Sequence, residues 1–346
     1  MPKNISGGLH MKQYTNEEFN FLFAELKSKI KAEGIYAKLP RRASLEFVIV
    51  LSLLATSLYS VTHWHPVFTV LLFVTTIMRS TFVAHDLIHG QYFKSRELNK
   101  RISYLFANGI MGISRSWWEN KHNFMHHTYT NIIGKDMDLD AGGGAFTGNY
   151  EYPMWFHNNQ HILFWPLLSL LYVVFWVQSL MYVIEKKYWG EVAILGLNLL
   201  VPAYIIASLG LVTGLLTVLG IYVVWAAWFG AVIITNHLGL EMFPEDKYNE
   251  FTWLELQNRT SRNVRGGWLI HWFYGGLNTQ IEHHLYPKAS RFNLLKAAKM
   301  TEEFCIKHDI VYLTNTPWGT YKEIYQFLKD RRPKVWAKYA KAQASK

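Results

Sequence analysis

Three stretches of this chain, Phe47 to Met78, Ile162 to Ile184 and Val192 to Leu240, contain no Asp, Glu, Lys or Arg. A helix needs about 20 apolar residues to cross the hydrocarbon core of a bilayer. The first run, extended past Arg79 to Ala84, and the last run are each long enough for two such helices. The sequence is therefore that of an integral membrane protein. Its 14 Trp, 20 Tyr and 21 Phe fit this reading, because aromatic rings gather at the headgroup level.

Charge sets the orientation. Residues 1–45 carry 8 Lys/Arg against 4 Asp/Glu, and residues 288–346 carry 13 against 5, whereas the turns at Val61 to Pro66 and Ser208 to Gly214 carry none. The positive-inside rule places both termini in the cytoplasm and those turns on the far side. His85 and His89, at the end of the second helix, then return to the cytoplasmic face, and the polar stretch Gln91 to Gln160 stays there. For His283 and His284 to share that face, an even number of crossings must separate Gln160 from Gln280. Three apolar segments lie between, so one does not cross. Ile162 to Ile184, which contains Pro166 and Gln178, is the in-plane or re-entrant one, and Val192–Leu209 and Leu211–Thr235 complete four crossings. About 45 largely polar residues precede the first apolar run, unlike a secretory signal. Cys305 is the only cysteine, which excludes an intrachain disulfide and a thiolate metal site.

The expected fold is an all-α membrane bundle of four crossing helices and one in-plane or re-entrant helix. A cytoplasmic helical cap holds a two-metal site. It forms one domain, 1–346, with an amphipathic N-terminal segment (1–44), a core (45–300) and a basic tail (301–346). Thr15-Asn16-Glu17-Glu18 reads as a capping box opening a helix whose Phe19, Leu22, Phe23, Leu26 and Ile30 share one face, as on a membrane-surface helix stopped by Gly34.

Chemistry is carried by three histidine clusters where apolar sequence meets polar: His85-Asp86-Leu87-Ile88-His89, His122-Asn123-Phe124-Met125-His126-His127, and Gln280-Ile281-Glu282-His283-His284. One HxxxH is weak evidence, since core histidines often only satisfy a carbonyl. Three clusters, two ending in adjacent histidines, point to metal. Imidazoles without thiolates suit iron, copper or zinc. A site walled by apolar helices at the mouth of a bundle suits the alkyl chain of a lipid, and oxygen activated at iron is the usual means of attacking an unactivated C–H bond.

The order HDxxHG (His85 to Gly90), WWxxKHNxxHHxYTN (Trp117 to Asn131) and GLNxQIEHHLYP (Gly276 to Pro287) resembles the membrane fatty acid desaturases over roughly residues 45–300. Gln280, where other members have histidine, resembles the front-end group and related bacterial acyl-CoA and acyl-lipid enzymes. The resemblance implies a non-haem di-iron centre, O2 as co-substrate, two electrons and a cis double bond in an acyl chain. It implies iron ligands at His85, His89, His122, His126, His127, His283 and His284, with His237 as an eighth from the last crossing helix, while Gln280 ligates weakly or positions a water. Asp86, Asp138, Asp140 and Glu282 are candidates to orient ligand imidazoles.

Three residues, not the two common in the family, separate His122 from His126, a spacing that keeps one helix face. No haem-binding HPGG segment occurs, so electrons come from a separate ferredoxin or cytochrome b5 with its reductase, drawn to the basic face. Membrane lipids and an acyl-CoA or acyl-lipid are the other partners; nucleic acid is not one. The setting is a bacterial inner membrane or the endoplasmic reticulum, with the site facing the cytoplasm. His157 and His161 exceed the ligands that two irons need, His63 and His65 are interfacial, His271 sits in a surface turn, and His10 and His308 carry no signal. The rival readings are a lipid hydroxylase or carotenoid ketolase with the same boxes, and a metal transporter, which would place ionisable groups at mid-membrane.

Overall fold

The computed structural model describes residues 14–140, 146–148 and 155–333. His10, the side chain of Asp140 and the basic tail beyond Pro333 lie outside the described residues. Helix α1 (Asn16–Ala32) precedes five that are, among the described residues, long and apolar enough to span a membrane: α2 (Pro40–His63), α3 (Pro66–Ile88), α4 (Gln160–Glu185), α5 (Trp189–Leu209) and α6 (Leu211–His237). Then come α7 (Trp253–Thr260), α8 (Trp268–Phe273), α9 (Gln280–Leu285), α10 (Arg291–Lys307) and α11 (Pro317–Asp330). The all-α expectation holds apart from two parallel pairings of two-residue strands, Ile132–Ile133 with Phe243–Pro244 and Asn263–Val264 with Thr314–Asn315.

The chain divides into two compact units. One comprises Ala37–Asn120 and Leu167–Ala231, the other Met1–Tyr36, Lys121–Pro166 and Val232–Lys346. The first holds most of the apolar helices. Its α2–α3 hairpin turns at Pro66, whose fixed φ suits the first helical position. Small hydroxyl residues let the two helices approach: Ser57 bonds Thr76 at 2.9 Å and Ser60 donates to Thr69 at 3.1 Å. Outward-facing Leu45, Val48, Val173, Val177 and Met181 are exposed, the pattern of a lipid-contacting surface. At the end of the hairpin opposite the turn, Arg79 pairs with Glu46 at 2.5 Å. Buried Glu191, in the first turn of α5, accepts from Asn108 (2.9 Å), Ser114 (2.7 Å) and the Ser116 backbone (3.3 Å), which ties α5 to the segment ahead of the second histidine cluster. Gly112 in that segment has φ +76°, and a Cβ there would stand 2.6 Å from the Asn198 amide oxygen. Helix α4 loosens into a 3-10 turn at Leu168–Leu170, directly after Pro166 has removed a backbone donor.

In the second unit, the capping box of α1 forms as expected, with the Glu18 carboxylate 2.7 Å from the Thr15 N–H. The apolar stripe does not lie on a membrane surface. Leu22, Leu26 and Ile30 pack against Leu254, Ile281, Leu285, Tyr286 and Leu294, the floor beneath the third histidine cluster. A membrane-surface helix and a core helix share one periodicity, and here the protein supplies the apolar partner at about 1.5–3 kcal/mol per buried side chain.

Candidate metal centre

The second cluster lies on a π-helical segment, Glu119–His126, that continues into a bond from the His127 N–H to the His122 carbonyl at 2.9 Å. The wider turn absorbs the extra residue between His122 and His126, where sequence reasoning relied on ordinary helical spacing. It also brings His122 Nε2 to 3.3 Å from His127 Nε2, which lies 3.0 Å from His283 Nε2. These three nitrogens, all from the second unit, form one triad.

His126, His237 and His284 form another, their ring nitrogens within 4.8 Å of one another. Here the tautomers can be worked out. His126 Nδ1 lies 3.1 Å from each oxygen of Asp136, and His237 Nδ1 lies 2.9 Å from the Thr260 carbonyl, so both Nδ1 atoms carry hydrogen toward groups that only accept. His284 Nδ1 meets Gln257 Oε1 at 2.7 Å. The orientation of that amide is fixed because its Nε2 donates to the His127 carbonyl at 3.1 Å. In neutral rings, each Nε2 then presents a lone pair. His126 Nε2 and His237 Nε2 face each other at 3.3 Å, two nitrogens with no hydrogen of their own to share. This donor set fits a transition metal held by imidazoles whose other nitrogen is tied down.

Adjacent residues serve different triads: His126 and His127 divide between them, as do His283 and His284. The rings of His127 and His284, one from each, stack 4.1 Å apart. Gln280 turns its Nε2 to 2.9 Å from His237 Nε2 and accepts from Asn236 at 3.0 Å, so its amide borders the second triad. His85 and His89 belong to the first unit, where they are buried one turn apart with ring centres 4.6 Å from each other.

The orienting groups were only partly foreseen. Asp136, fully buried, is the principal carboxylate behind His126. Asp138 stands 3.3 Å from the same nitrogen while bonding Lys121, and Asp86 lies 3.2 Å from His85 Nδ1. Glu282 instead bonds Asn263 and Tyr312, each at 2.8 Å, and burial pushes its carboxyl up to about 7; the tight turn of α9 aims it away from its histidine neighbours. Asp136 had a faint signal, an acidic pair ten residues past His126. Gln257 and the Thr260 carbonyl had none, because their role arises only when α7 packs beside α9. Buried His157 and His161 join none of the metal-competent groups among the described residues. His271 lies on α8, not in a turn, with Nδ1 2.8 Å from Asn278.

Long apolar helices together with buried histidine clusters compatible with a bound metal define a membrane protein with a candidate metal centre. The fatty acid desaturase family model matches residues 62–316. The chain is 29% identical to the Delta(5) fatty acid desaturase of Caenorhabditis elegans, over 93% of this chain and 76% of that protein. It is 26% identical to the Delta(8)-fatty-acid desaturase of Euglena gracilis, over 85% and 75%, and 30% identical to human fatty acid desaturase 3, over 68% and 54%. The chain belongs to the membrane-bound fatty acid desaturase family, and so to the oxidoreductases.

Proposed function

We propose that this protein introduces a cis double bond into a fatty acyl chain, carried on CoA or on a lipid, using O2 and two electrons at a histidine-ligated di-iron centre. The observation that carries this reading is the pair of imidazole triads, one of them with every Nδ1 committed to an acceptor. His126, His237 and His284 would hold one iron. His122, His127 and His283 would hold the other, with His85 and His89 added by their place in the family motif. Bound there, iron supplies the oxygen activation that no side chain provides. The residues of the chain orient the ligands: Asp136, Thr260 and Gln257 fix the rings, and Gln280 holds an amide beside His237 Nε2. Two relatives are named as Delta(5) and Delta(8) desaturases, which favours insertion toward the carboxyl end here too.

The four-crossing topology belongs to the same proposal. His126 and His237 touch, so an even number of crossings separates them although three long apolar helices intervene. Gln160 at the start of α4 donates to the Leu328 carbonyl in the histidine-bearing unit. Glu191, just past the end of α4, binds the segment leading into the second cluster. A helix whose two ends both neighbour cytoplasmic segments does not cross, which supports α4 as the in-plane or re-entrant one. Electrons would come from a separate acidic carrier.

The test is fatty-acid profiling of a host expressing the protein, with the new double bond mapped, alongside assays of purified enzyme with and without a reductase and a small electron carrier. An unsaturated product that requires the carrier is expected. A mainly hydroxylated product, or turnover with no donor, would overturn the proposal.

A further inference from the structure

Between α7 and α9 the chain makes an excursion that the metal chemistry does not use. Its root is closed by the Val264 N–H donating to the Asn278 carbonyl at 2.9 Å and by the Asn278 side chain returning a bond to the Val264 carbonyl at 3.2 Å. Two residues earlier, buried Arg262 clamps that root to the end of α6. It donates to the Thr235 carbonyl at 2.7 Å and to the Leu238 carbonyl, and pairs with Glu323 at 2.5 Å. The loop thus leaves the protein at the level where a membrane-length helix ends.

The tip is α8. Trp268 is 79% exposed, Leu269 57% and Trp272 43%, and no Asp, Glu, Lys or Arg follows Arg265 until Glu282. Gly266 makes the approach to the tip tight, since a Cβ there would stand 2.4 Å from Ile270 Cγ1. Next to the tip, burial and the nearby Tyr274 raise the Tyr321 hydroxyl, and the Tyr321 ring sits edge-on to Trp165 at 5.7 Å, in the first two turns of α4. The loop is therefore anchored, within its own unit, to the polar-side ends of two apolar helices. Two exposed tryptophans flanking a leucine at that level match the side chains that favour the membrane–water boundary, where an amphipathic ring keeps its N–H wet and its body in acyl chains.

We infer that the 265–277 loop is an interfacial anchor that sets Trp268, Leu269 and Trp272 into the headgroup and upper acyl region of the bilayer spanned by the apolar helices. Because the loop runs through Asn278 and Thr279 directly into Gln280, lipid contact at its tip would bear on the mouth of the third histidine cluster.

The experiment uses the full chain with Leu269→Cys, spin-labelled, in vesicles of phosphatidylcholine with phosphatidylglycerol. The native Cys305 is buried with its thiol pushed up to about 12, so the label goes to the new site. Glu303→Cys, exposed on α10, is the water reference. An anchored tip predicts a ratio of collision rates with O2 to those with a water-soluble nickel chelate several-fold above the reference, lost when Trp268 and Trp272 are both changed to Ser. A ratio equal to the reference would place the tip in water and overturn the inference. Spin–spin broadening that disappears on dilution with unlabelled protein would assign the patch to a second copy of this chain and overturn it equally. Circular dichroism and melting of each variant confirm that the fold is intact.

Discussion

Changing Asp136 to Asn tests the metal reading at the carboxylate that sequence reasoning passed over. Asp136 is fully buried, and each of its oxygens accepts a backbone N–H in addition to facing His126: Asn131 donates to Oδ2 at 2.9 Å and Asp138 to Oδ1 at 3.0 Å. Whichever oxygen becomes an NH2 group then opposes a backbone donor, leaving buried hydrogens without an acceptor at a cost of about 1–3 kcal/mol in stability. The charge that holds His126 Nδ1–H is lost as well, and an outer-shell loss of this kind weakens metal binding by about 10- to 100-fold. Competition of iron-loaded protein against a chromophoric chelator reads the affinity, and thermal melting reads the stability. One iron per chain should be released at far lower chelator concentration than in the parent, while the other is retained. The Asp138 side chain is 40% exposed and stands farther from His126, so Asp138→Asn should weaken iron binding far less than Asp136→Asn, its stability cost arising at buried Lys121, which loses an ion-pair partner. Two irons bound with parental affinity in Asp136→Asn would refute both the tautomer argument and the assignment of His126 as a ligand.

Gln257→Leu should lower iron content by loosening His284 and the His127 backbone together, whereas Gln257→Glu, which keeps an acceptor for His284, should retain more; equal loss in both would show that the ring contact is not what matters. Deleting Phe124 should restore ordinary helical spacing, break the His127-to-His122 backbone bond and remove one iron on elemental analysis; a full metal complement would refute the role given to the π-turn. His161→Ala should keep both irons, and loss of either would make that residue a ligand missed here. Cys305 should react with a maleimide at pH 8 about a thousandfold more slowly than a thiol at its ordinary value near 9, since only the thiolate attacks and burial holds the proton; the rate should rise on unfolding, and fast labelling of native protein would contradict the burial. Single cysteines at positions 62 and 211 should label only from outside the cell and one at 186 only from the cytoplasm; outside labelling at 186 would show that α4 crosses.

The apolar helices and histidine clusters were legible because their signals are local: absence of charge over membrane length, and repeated ligand residues at short spacing. What escaped depends on pieces distant in the chain. Gln257 reads as an ordinary amide in a short helix until α7 lies beside α9, and the α1 stripe carries no mark of whether lipid or Tyr286 will cover it. The π-turn was illegible for another reason. An inserted residue can be taken up by rotation, by a bulge or by wider winding, and only the bond between His127 and His122 tells which.

The two His-His pairs have a mechanical consequence. Each pair sends neighbouring residues to different triads, so the two triads are joined twice by a single trans peptide unit, whose Cα–Cα length is fixed at about 3.8 Å. One pair sits on the π-turn and the other on α9, and the side chains of His127 and His283 meet between them at 3.0 Å. A slide of one element against the other would shear or tilt both triads together, because neither can shift without moving the peptide unit it shares with the other. The two triads are therefore coupled through the backbone, so that a displacement felt by one reaches the other.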